Sequence, residues 1–129
     1  MAVIGLGMDV CAVSRIDRVL KSELGERFRE RVYTAEEQRT CEGRSDAATA
    51  YAARFAAKEA TIKVLRVSEA QPDWLSMEVR RHESGWCEMR LSEEAARLAE
   101  DAGIKDMAVS LSHEGGMAAA VVIAMCDRG

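Results

Sequence analysis

Two carboxylates in this 129-residue chain stand in places that invite chemistry, one at the end of an apolar run and one among cations. Asp9 closes an otherwise apolar run, Ile4-Gly5-Leu6-Gly7-Met8-Asp9-Val10. A charge there must pair, accept hydrogen bonds or hold a cation. Glu59 lies in Arg54-Phe55-Ala56-Ala57-Lys58-Glu59-Ala60-Thr61-Ile62-Lys63. At helical spacing Phe55, Glu59 and Lys63 share one face, with Arg54 and Lys58 on the face beside it. One carboxylate among three cations suits an anionic ligand held through a divalent metal: oxygen donors take the cation, and Lys and Arg take phosphate charge. Each feature also has an ordinary explanation. Asp9 can cap the helix that follows, and Glu59–Lys63 can be a solvated pair worth a few tenths of a kcal/mol.

Further residues stand apart from these. Ser110-Leu111-Ser112-His113-Glu114 ends a strand beside a Gly-Gly turn. Neighbouring strand residues point to opposite faces, so Ser112 and His113 make a poor nucleophile–base pair. His113 reads as a ligand contact or a turn residue, and His82, among Arg80, Arg81 and Glu83, as surface. Arg15, Arg18 and Lys21 lie off the apolar stripe of the first helix; such a face is either solvated or docks an acidic partner. Gly5-x-Gly7 lacks the third glycine and helix start of a dinucleotide loop.

The elements that must position these residues follow from periodicity and punctuation. Val3–Val10 reads as a buried strand. Ser14-Arg15-Ile16-Asp17 reads as a capping box opening a helix over 15–31, and Thr34-Ala35-Glu36-Glu37 as a second one. Asp46 is positioned to cap a long Ala-rich helix from Ala47 to about Arg66. Trp74–Arg81 and Trp86–Leu91 read as strands around a turn at 82–85. Ser92 precedes a helix over 93–102 with Gly103 as its C′ residue. Met107–Ser112 and Met117–Met125 form a final hairpin around Glu114-Gly115-Gly116. The order β-ααα-ββ-α-ββ, with strands joined by short turns, gives an α+β domain with antiparallel sheet over residues 1–129.

Composition narrows the function classes. Hydrophobic residues make up 48% and charged residues 31%, which fits a globular core and not a disordered chain. The longest apolar run, Met117–Cys126, is ten residues, short of a membrane span. The first residues lack the basic, then apolar pattern of a secretory signal. Four cysteines without a CxxC or CxxH pair predict reduced thiols in the cytosol. Residues 1–66 hold 12 basic and 10 acidic side chains, and residues 67–129 hold 6 and 12. A net charge of −4 with six aromatic residues argues against nucleic acid.

In combination and order these motifs resemble the holo-acyl-carrier-protein synthase family, across nearly the whole chain. The opening Ile4–Val10 with Ser14-Arg15-Ile16, the central Arg54-Phe55-Ala56-Ala57-Lys58-Glu59-Ala60-x-x-Lys63 and the C-terminal Ser110-Leu111-Ser112-His113 carry the resemblance. Phe28–Thr34 with Glu37 fits as well. The resemblance implies a 4′-phosphopantetheinyl transferase fold and a homotrimer with sites between subunits. It implies transfer of phosphopantetheine from coenzyme A to a serine of an acidic apo acyl carrier protein, with release of adenosine 3′,5′-bisphosphate. Mg²⁺ is expected on Asp9 and Glu59. Lys63, Lys58 and Arg54 are expected near the diphosphate, with His113 on coenzyme A. Arg15, Arg18 and Lys21 are expected on the carrier. Such chemistry needs charge neutralisation above all. Glu59, directly or through a water, is expected to take the serine proton.

Three places depart from the family pattern. Ala12 stands where a glutamate is frequent. Val64-Leu65-Arg66-Val67-Ser68-Glu69 replaces a Gly-rich turn, and Ser84-Gly85-Trp86-Cys87 replaces a Gly-Lys-Pro turn. These changes open two alternatives: a specialised polyketide or peptide carrier as substrate, or an inactive trimeric carrier-binding module.

Overall fold

A computed structural model describes residues 1–67 and 71–127. Its elements are β1 (Ala2–Ala12), α1 (Val13–Leu20), α2 (Gly25–Val32), α3 (Ala35–Glu42), α4 (Ala47–Leu65), a single 3-10 turn (Trp74–Ser76), β2 (Met77–Arg81), β3 (Cys87–Leu91), α5 (Glu93–Asp101), β4 (Asp106–Glu114) and β5 (Met117–Cys126). A three-stranded antiparallel sheet has the order β1-β5-β4, and β2-β3 form a separate antiparallel pair. The fold is α+β, as expected. Residues 68–70, in the irregular Val67–Asp73 stretch and the replaced Gly-rich turn, lie outside the described residues.

The single helix expected over 15–31 is two helices, so four helices rather than three precede β2. The cause is local. Ser22 Oγ donates to the Val19 carbonyl and accepts from the Leu24 amide, which turns the chain after Lys21. Gly25 then restarts the helix so close to the Leu20 carbonyl that a Cβ would not fit. The Ser14 capping box does not form. Here β1 runs directly into α1, Ala12 is the N-cap residue, and the Val13 amide donates to the Gly116 carbonyl of the β4–β5 turn. The Thr34 box does form, with reciprocal bonds to Glu37. Asp46 and Ser92 occupy N-cap positions without side-chain caps. Asp46 instead pairs with Arg44 through two bonds, 2.8 and 3.2 Å. Residues 74–76, expected in a strand, form the 3-10 turn that Asp73 caps through the Leu75 amide.

One face of the three-stranded sheet packs on α4. The register pairs Gly7 with Val122, Asp9 with Ala120 and Cys11 with Ala118. Val109, Leu111 and His113 of β4 continue those three rows across β5. Strand alternation therefore puts Gly5, Gly7, Asp9 and Cys11 of β1 on the helix side, with Ala118, Ala120, Val122 and Ala124 buried between. A Cβ on Gly7 would collide with the Ala60 carbonyl. The second glycine of Gly-Leu-Gly is thus the point of closest approach between β1 and α4, not a phosphate loop. The alanines of α4 serve the same end: Ala52, Ala56, Ala57 and Ala60 are fully buried and let a 19-residue helix sit close on a sheet.

The sheet's other face is open. Leu6 (67% exposed), Met8 and Val10 line it on β1, with Ala119, Val121 and Ile123 beside them on β5.

Candidate active site

The close β1–α4 contact brings three of the expected residues together. Lys63 Nζ donates to the Met8 carbonyl at 2.6 Å and lies 3.4 Å from Asp9 Oδ1. Glu59 stands one turn earlier on the same face of α4, partly buried. Burial pushes its carboxyl above the usual glutamate range, and the nearby Asp9 charge pushes it further. Lys63 and Arg15 oppose that rise. The Arg15 guanidinium lies 5.7 Å from the centre of the Phe55 ring, which is itself stacked on Trp74. Arg15, expected on a carrier-docking face, therefore also stands within electrostatic reach of Glu59. Arg18 is exposed on α1, as is Lys21 just past its end, where it pairs with Asp17 at 3.0 Å.

The donor set fits a hard divalent cation. Two carboxylates from facing elements, one of them held high by burial and then by the other's charge, gain from a cation between them. Mg²⁺ takes one or two carboxylates and fills the rest of its shell with phosphates and water. Among the described residues no three His, Cys, Asp or Glu side chains gather into an all-protein cage. Ala12 adds no third carboxylate.

Lys58 does not belong to this cluster. It is fully buried, and Nζ is spent on the Val32 carbonyl (2.5 Å), Glu37 Oε1 (2.7 Å) and the Trp74 carbonyl (3.1 Å). Burial pulls its ammonium below the ordinary lysine range, and Glu37 opposes this. The second Glu37 oxygen accepts the Val79 amide at 2.9 Å. All three donors of Lys58 thus face protein acceptors, leaving none for a diphosphate. The pair ties α4 to the end of α2, the start of α3 and the β2 segment. The sequence hides it because the partners are 21 residues apart.

Arg54 and His113 are not beside Lys63 either. Nine residues separate Arg54 from Lys63, about 13 Å along the helix and half a turn around it. Arg54 and His113 line a cavity of about 310 Å³ on the β4 side of α4, with Arg44, Arg81 and Trp86. Arg54 is 4% exposed; one terminal nitrogen donates to the Ala50 carbonyl at 3.1 Å, and its buried Nε has no partner among the described residues. Arg44, Arg81 and Trp86 were not singled out in the sequence, because the elements they close on are remote in the chain. His82, read as surface, is partly buried under Trp86, with ring centres 3.7 Å apart and planes at 16°.

Comparison with known proteins gives the family. The 4′-phosphopantetheinyl transferase superfamily matches residues 5–125. The holo-[acyl-carrier-protein] synthase of Myxococcus xanthus (strain DK1622) is 46% identical over 125 residues, 95% of each chain. That of Anaeromyxobacter dehalogenans (strain 2CP-C) is 42% identical over 123 residues, 94% of each. The Helicobacter pylori holo-[acyl-carrier-protein] synthase, solved in complex with coenzyme A, superposes with a TM-score of 0.81 at 26% identity, covering 94% of this chain and 100% of that one. Close β1–α4 packing, the Asp9–Glu59–Lys63 cluster and these matches over nearly the full length lead to one assignment: the chain belongs to the 4′-phosphopantetheinyl transferase superfamily and is an enzyme of its holo-acyl-carrier-protein synthase family.

Proposed function

We propose that this enzyme transfers 4′-phosphopantetheine from coenzyme A to a serine of an apo acyl carrier protein, in a Mg²⁺-dependent reaction that releases adenosine 3′,5′-bisphosphate. The observation that carries this reading is the convergence of Asp9, Glu59 and Lys63 across the β1–α4 contact. Asp9 and Glu59 would hold the cation. When bound, Mg²⁺ supplies charge neutralisation at the diphosphate. Lys63 has three donors, two directed at Met8 and Asp9, which leaves one for a phosphoryl oxygen. Glu59, its carboxyl raised by burial and by Asp9, takes the proton of the attacking serine hydroxyl. The nucleophile comes from the carrier, so the site needs no activated serine or cysteine of its own. Arg15, Arg18 and Lys21 give α1 and the turn after it a basic face suited to an acidic carrier helix.

Arg54 and His113 belong to the same reaction through a second copy of the chain. They lie on the flank of α4 opposite Lys63, too far round the helix to share one diphosphate with it. The open apolar face of the β1-β5-β4 sheet fits an interaction surface with further copies of the chain, and the family resemblance makes the assembly a homotrimer. In that assembly the Asp9 half of one protomer meets the Arg54 half of its neighbour. The four free cysteines fit a reducing, cytoplasmic setting.

Intact-mass spectrometry of apo carrier protein with enzyme, coenzyme A and Mg²⁺ tests the reading. The expected result is the gain of one phosphopantetheine arm, lost with chelator or in Asp9→Ala. Gain on polyketide or peptide carriers only would make the enzyme specialised. No gain on any carrier would contradict the proposal.

A further inference from the structure

Trp86 is poorly placed for a core residue. It is 57% exposed in the turn between β2 and β3, and its described ring partner is His82, stacked at 3.7 Å. Stacking on one face fixes the ring and leaves a broad aromatic surface beside the cavity it lines. Arg44, Arg54, Arg81 and His113 line the same cavity, with the charge of Arg44 met by Asp46. Arg54 donates to the Ala50 carbonyl, and its Nε has no partner among the described residues, so that wall of the cavity is rich in unmatched positive charge. A wall of guanidinium groups calls for phosphate. A fixed aromatic face calls for a planar ring at stacking distance. A ligand offering both is a nucleotide.

We propose that Trp86 is a base-stacking residue that sets affinity for the nucleotide end of coenzyme A. This rests on the reading of the chain as a coenzyme A-dependent transferase and adds a specificity determinant to it. Phosphate charge is met by the arginines, whatever base the ligand carries. The ring of Trp86 distinguishes a ligand with a base from one without.

The test uses the full-length enzyme in a Trp74→Phe background, so that Trp86 is the one fluorescent indole. Adenosine 3′,5′-bisphosphate is expected to quench its emission, and inorganic diphosphate is not. Trp86→Ala is expected to raise KM for coenzyme A by about tenfold, the usual size of a lost base–aromatic stack. Trp86→Phe keeps a stacking face and is expected to recover most of that loss. Affinity for inorganic diphosphate is expected to be the same in all three. An unchanged KM in Trp86→Ala, with the wild type active, would overturn this inference alone. Equal weakening toward diphosphate would overturn it too, by showing a collapsed cavity. Absence of phosphopantetheinyl transfer by the wild type would instead remove the reading on which it rests.

Discussion

On the β1 flank of α4 the chain gathers two carboxylates, one lysine and the guanidinium of Arg15; on the β4 flank it gathers three arginines, a histidine and a tryptophan. The first group is open, partly solvated and held by a close backbone approach at Gly7. The second lines a cavity and holds a buried nitrogen with no partner among the described residues. On the proposed reading neither flank is a complete site: the first would hold the metal and take the proton, and the second would bind anionic and stacking groups of the ligand. The difference teaches that α4 separates two chemistries half a turn apart on one helix, and the proposal is that a second copy of the chain brings them together.

The largest expected effect belongs to the carboxylate flank. Glu59→Gln keeps shape and removes the proton acceptor, so turnover should fall by about 10²–10⁴. Thermal unfolding of the variant should match the wild type, since the residue is only partly buried. Normal turnover would remove Glu59 from the mechanism.

The partition itself should break at Lys58. Replacing it with Met leaves Glu37 buried and unpaired, at a cost of about 3–5 kcal/mol in urea denaturation. Lys63→Met, at an exposed site, should cost little stability and much activity. Equal behaviour of the two lysine variants would contradict the distinction drawn between them.

Smaller effects sharpen the comparison. Gly7→Ala forces a methyl group against the Ala60 carbonyl and should destabilise by about 1–3 kcal/mol, while separating Asp9 from Glu59. Its KM for Mg²⁺ should rise more than its KM for the carrier. In the metal-free enzyme the Glu59 carboxyl should titrate above the ordinary glutamate range, raised by burial and by the Asp9 charge, and NMR titration of the side chain checks this. Mg²⁺ favours the ionised carboxylate, so its affinity should weaken as pH falls through that range. Arg15→Gln removes a charge that lowers the titration, and should move it to higher pH. A titration at the ordinary glutamate position in both proteins would contradict the crowding of Asp9 and Glu59.

Much of this was legible in residue order, and the exceptions have physical causes. Strand alternation and helical spacing located β1, α4 and the two hairpins, because each depends on local period. The Thr34 box was legible for the same reason. The grouping of Asp9 with Glu59 and Lys63 came instead from the family resemblance, since 50 or more residues separate Asp9 from both. The break after Lys21 was not, since Ser22 and Gly25 act through hydrogen bonds to carbonyls that periodicity does not register. Ala12 became an N-cap because the β4–β5 turn supplies the acceptor for Val13, a partner over a hundred residues away. Lys58 was misplaced because a helical wheel shows its angle but not the Glu37 carboxylate packed over it. Trp86 carried no motif, and its neighbours come from four separate elements.

Subunit complementation tests the central claim most directly. Glu59→Gln and Arg54→Gln proteins, each nearly inactive alone, are mixed by co-refolding and assayed by intact mass of the carrier. In each mixed trimer one site in three pairs an intact Glu59 flank with an intact Arg54 flank from the neighbour, about a quarter of all sites at random equal mixing. The account predicts activity in the mixture well above either parent. A mixture as inactive as its parents would contradict it, placing both flanks in the service of one protomer's own site.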